Sequence, residues 1–128
     1  RFTLMAAVLI ASPALAADVQ NGSELFRGYC AACHGLGAMG DGPMTDILEI
    51  APPDLTGLAA ANDGTFPLAR VVRTIDGRNT LLSHGGPMPL FGTILQGEAG
   101  VVDAEDGTPI ITKAAVVDIA AWLASVQD

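Results

Sequence analysis

Apolar positions in this chain recur with a helical period. Leu68, Val71, Val72 and Ile75 fall at i, i+3, i+4 and i+7, a stripe along one side of a helix. Arg70 and Arg73 lie off that stripe. Thr65-Phe66-Pro67 opens the element with a proline suited to a first turn, and Gly77 stops it. A second stripe of Val116, Ile119, Ala120 and Leu123 predicts a last helix over 113–126, capped by Thr112, with Trp122 beside its apolar face. A further helix is expected over 22–30. Asn21 is its candidate N-cap, Glu24 sits in the first turn, and Leu25, Phe26 and Tyr29 supply an apolar side.

Between these helices the polar positions are irregular. Short helical turns are expected over 45–50, ended by Pro52-Pro53, and over 90–96. Residues 35–42 are rich in glycine, and Gly-Asp-Gly-Pro at 40–43 marks turns. Residues 83–92 hold too much Gly and Pro for a regular element, and 97–109 read as a polar, acidic surface loop. No strand alternation or internal repeat stands out. The pattern predicts an all-α domain of three main helices and long loops.

The first stretch is different in kind. Residues 2–17 carry no charge, and an apolar core is followed by Ala14-Leu15-Ala16 after Arg1, the form of an export signal. It is shorter than the roughly 20 residues a spanning helix needs. We therefore expect residues 1–16 to be a signal peptide and 17–128 to be the functional domain, with a periplasmic location. The protein would meet a membrane only by retaining that segment or through membrane-bound redox complexes.

Composition narrows the partners. Formal charge is −8, and −9 without Arg1. Such acidity excludes nucleic acid as a partner and favours proteins with a basic docking patch, while also serving solubility. Only 5% of residues are aromatic, so the core is modest for 128 residues. A large apolar cofactor would complete it.

The chemistry is concentrated in Cys30-Ala31-Ala32-Cys33-His34, which contains both cysteines of the chain. This is the attachment signature of a c-type haem. Residues three apart share a helix face, so both thiols can add to the two vinyl groups of one porphyrin. His34 follows at once and can ligate the iron. Three other uses of the cysteines compete. A thioredoxin-like dithiol expects a preceding strand, and residues 22–29 lack strand alternation. A zinc site needs a second ligand pair, yet the other histidine, His84, stands alone. A disulfide across three positions closes too small a loop to add much stability.

The second iron ligand decides between a carrier and an open site. Met39 lies five residues past His34 and cannot comfortably pass round a porphyrin edge, since a residue spans at most ~3.6 Å. Met44 could reach only by a strained path. Met88, 54 residues downstream, sits between Pro87 and Pro89 after Gly85-Gly86, a stiff carrier beside backbone able to approach a flat ring. It is the favoured ligand, with His84 as the alternative.

With these features on the page, the chain resembles the monohaem class I cytochrome c family of exported bacterial c-type cytochromes, from Gly22 to Trp122. Gly-Asp-Gly-Pro, Pro-Pro-Asp-Leu-Thr at 52–56 and Ile-Asp-Gly-Arg at 75–78 are similar to segments of such proteins. The resemblance implies one covalent haem c on Cys30 and Cys33, with iron held by His34 and Met88. It also implies that the Pro43 carbonyl accepts the His34 ring N–H. The expected function is one-electron transfer between redox proteins, not enzymatic catalysis. Its rivals are a haem enzyme or gas-binding protein with an open distal site, and a cytochrome subunit of a dehydrogenase or oxidase complex. The extra His84 and the acidic 97–109 stretch depart from the family pattern.

Overall fold

The computed structural model describes residues 16–78 and 88–128. The proposed signal segment, apart from Ala16, and the alternative ligand His84 lie outside the described residues. The first helix, α1, spans Val19–Tyr29 and begins earlier than expected. Its cap is Asp18, whose carboxylate accepts the Asn21 N–H at 3.0 Å. Asn21 instead lies in the first turn, and its side-chain amide donates to Asp118 at 2.8 Å. The one-turn helix α2, Ala31–His34, carries the haem motif directly after α1. The third, α3, runs Leu68–Asp76 and ends at Gly77 in the left-handed conformation, as predicted.

A single turn, α4, covers Phe91–Ile94. The last helix, α5, spans Ala114–Ser125, with Val116, Ile119, Ala120 and Leu123 all buried. Thr112 does not cap it: Lys113 holds the N-cap position without a side-chain bond. The turn expected over 45–50 is a 3-10 turn limited to Thr45–Ile47.

One correction to the all-α expectation concerns residues 97–109. Strands β1, Ala99–Asp103, and β2, Pro109–Lys113, form an antiparallel hairpin. Glu105 and Asp106 lie in its turn: Asp106 accepts the Thr108 N–H at 2.9 Å, and Gly107 takes φ 81°. Val102 pairs with Ile110 on the inner face, while Val101 pairs with Ile111 on the outer one. Ile110 is 5% exposed and Ile111 66%, so the alternation is that of a half-buried ribbon. The domain is helical with a small two-stranded sheet.

The core sits where α1 crosses α5. Phe26, Val72, Val116 and Ile119 are its largest fully buried side chains. Close approach depends on Gly22, where a Cβ would lie 2.0 Å from the Asp118 carbonyl oxygen. The Asp118 carboxylate also accepts the Asp18 N–H at 2.8 Å, fastening the start of α1 to α5. This crossing fixes where α1 delivers Cys30. Among the described residues no helix is long and apolar enough to cross a membrane.

Candidate functional site

The cysteine motif is held largely by its own neighbourhood. The Cys30 carbonyl accepts the His34 N–H at 2.9 Å, and the Ala31 carbonyl accepts the Gly35 N–H at 2.9 Å, closing the short helix. The following loop turns back to satisfy the remaining carbonyls. Gly40 N–H donates to the His34 carbonyl at 2.8 Å, Met44 N–H to Ala32 at 3.0 Å, and the Thr45 hydroxyl to Cys33 at 3.2 Å. Gly42 also donates to the Cys33 carbonyl, and a Cβ there would come within 2.5 Å of it. Orphan carbonyls at a helix end are thus paired. The glycine-rich stretch is the cap of the motif helix.

The loop then passes Pro52-Pro53 against Gly40, whose φ of 79° and missing side chain let the Pro52 carbonyl approach. The bond expected from the His34 ring to the Pro43 carbonyl is not formed at Nδ1; the backbone that acts on the ring is that of Pro53. Burial lowers the His34 pKa below its usual value, opposed by the Pro53 backbone. The imidazole is therefore neutral near pH 7, with a lone pair free for ligation. Its Nδ1 is buried without a hydrogen-bond partner.

Two adjoining apolar cavities open beside this motif. One, of about 240 Å³, is lined by Cys30, Cys33, His34, Met88 and apolar residues including Tyr29, Leu48 and Phe91. The other, of about 190 Å³, shares Cys30, His34 and Met88 and reaches Phe26, Val71 and Leu123 in the core. All four predicted site residues therefore meet at one place. Met39 and Met44 line neither cavity and are 60% and 40% exposed. Arg70 borders the inner cavity, a role that helical periodicity alone did not reveal. Arg78 instead pairs with Asp76.

The donor set fits a covalently held haem. Two free thiols, a neutral imidazole with an unpartnered nitrogen and a thioether face an almost wholly apolar space. The Cys30 thiol is pushed up to about 12, by burial first and then by Cys33. A redox-active dithiol needs the opposite shift. No cluster of three or more His, Cys, Asp or Glu able to hold a metal ion occurs among the described residues.

Comparison with known proteins agrees with this chemistry. The family described as cytochrome c matches residues 19–127. No curated protein and no solved structure gives a match.

Proposed function

Starting from a chain that belongs to the cytochrome c family, whose members bind covalently attached haem c and typically carry electrons between redox proteins, we propose an exported one-electron carrier with His34 and Met88 as axial ligands. The observation that carries this reading is the meeting of Cys30, Cys33, His34 and Met88 in one apolar cavity. When bound, haem supplies an iron that alternates between ferric and ferrous states. The chain does the rest. Cys30 and Cys33 would hold the macrocycle by thioether bonds, and His34 would offer its lone pair to the iron. Met88 would offer a soft sulfur, a donor that favours the ferrous state and raises the potential. With both donors engaged, no position would be left for substrate. Leu48, Leu55 and Phe91 line the cavity with apolar surface.

Export rests on residues 1–16, whose removal would leave a periplasmic domain beginning at Ala17. With −9 on its side chains, that domain is suited to partners bearing basic patches.

The test is the distal ligand. Ferric holoprotein should show the weak red charge-transfer band of a sulfur–iron bond, and ferrous holoprotein should refuse carbon monoxide. Met88→Ala should abolish the band, lower the potential and admit carbon monoxide, while His84→Ala should do none of these. The ligand assignment falls if the band survives Met88→Ala and is lost in His84→Ala. Carbon monoxide binding by the unmutated protein would instead favour an open-site haem protein.

A further inference from the structure

We propose that the hairpin of β1 and β2 braces the segment bearing Met88, with Thr112 and Lys113 as positioning residues for the distal side. This rests on the reading of Met88 as a ligand. Two consecutive residues near the end of β2 grip the chain on either side of that methionine. Before it, the Thr112 hydroxyl donates to the Asp76 carboxylate at 2.8 Å, at the last residue of α3. After it, the Lys113 ammonium donates to the carbonyl of Leu95, a residue only 2% exposed, just past α4.

The two flanks of the methionine also touch each other near these points. A Cβ on Gly92 would lie 2.3 Å from the Asp76 carbonyl oxygen, and one on Gly77 would lie 2.9 Å from Leu90. The turn of α4 therefore packs directly on the backbone at the end of α3, and the Leu90 side chain packs on Gly77. Asp76 is further held by the Arg78 guanidinium at 2.9 Å. The hairpin is itself fixed, since Ile110 is in the core and β2 runs straight into α5. A one-turn helix has little cohesion of its own. Its placement comes from charge-assisted bonds whose loss would leave a carboxylate short of a donor and a carbonyl unpaired.

Holoprotein variants Thr112→Val and Lys113→Met test this with two readouts. Amide hydrogen exchange at Leu95, whose N–H bonds the Phe91 carbonyl at 2.8 Å, should accelerate roughly tenfold, the effect of one such hydrogen bond. Added imidazole should displace the distal ligand with about tenfold higher affinity, for the same reason. Thr112→Ser should behave as the unmutated protein. Unchanged exchange at Leu95 overturns the brace, as does an equal acceleration at Val72 in the core, which would indicate general loosening. Faster exchange at Leu95 with unchanged imidazole affinity overturns its link to the ligand. Should Met88→Ala keep the charge-transfer band, the ligand reading fails separately, and exchange at Leu95 still decides the brace.

Discussion

The two sides of the site are built in opposite ways. On the proximal side, residues 30–45 bond to one another: backbone and Thr45 donors from the loop occupy the carbonyls of Ala32, Cys33 and His34. On the distal side, the described residues flanking Met88 are held at Asp76 and Leu95 by residues remote in sequence, Thr112 and Lys113, and by the approach of α4 to the end of α3. A locally bonded side should resist small insults and fail all at once. A side held from a distance can loosen by degrees while the cofactor stays attached. On the proposed ligation, haem attachment and the Met88 bond should therefore have separable stabilities within one domain.

The largest effect should come from crowding the proximal side. In Gly42→Val the new side chain meets the Cys33 backbone, which cannot give way as a flexible side chain would. Overpacking of this kind costs about 1–3 kcal/mol or more, and the recovered yield of haem-bearing protein should fall severalfold. A normal yield with a normal charge-transfer band would contradict the rigid proximal side.

A smaller effect, confined to the distal side, should follow from acid. Burial raises the Asp76 carboxyl, but the hydrogen bonds from Arg78 and Thr112 and the charge of Arg78 outweigh it, leaving its pKa below the usual 3.8. A carboxyl with a depressed folded pKa contributes stability above its unfolded value, and loses it as pH falls through the folded one. The charge-transfer band of the unmutated holoprotein should therefore fade below about pH 3.8 with a steeper dependence than in Asp76→Asn. Identical acid profiles would show that Asp76 does not hold this side.

The smallest effect is expected on the outer face of the hairpin. Val101 and Ile111 are 59% and 66% exposed, so Val101→Thr with Ile111→Thr should move the unfolding free energy by no more than about 0.5 kcal/mol. The imidazole affinity should stay unchanged. A large loss in chemical denaturation would mean that this face is covered, and that the brace is less independent than its exposure implies.

The same contrast explains what could be read in advance. The haem motif was legible because its chemistry is local, and the α3 and α5 stripes because burial follows the helical period. That Met88 would lie at the same cavity as the motif was foreshadowed by its Gly/Pro setting and its distance from His34, not by any neighbour. The hairpin was missed although Val101-Val102 and Ile110-Ile111 flank an Asp-Gly turn, since Glu98, Asp103, Glu105 and Asp106 made the stretch read as an acidic loop. Its inner face shows only once Val102 and Ile110 are paired. Asn21 looked like a cap until Asp118, nearly a hundred residues away, claimed its amide. The bond foreseen from the His34 ring to Pro43 is not formed at Nδ1, and the Pro53 backbone, ten residues further on, acts on the ring instead.

The crossing of α1 and α5 also has an optical consequence. Trp122, the one tryptophan of the chain, stacks on Phe26 with ring centroids 4.4 Å apart, and Phe26 lies 6.4 Å from His34. One aromatic ring thus separates the indole from His34. Its emission overlaps porphyrin absorption, so a bound haem darkens it for as long as the two helices stay crossed. Light from that single indole reports their separation, whatever happens meanwhile at Met88.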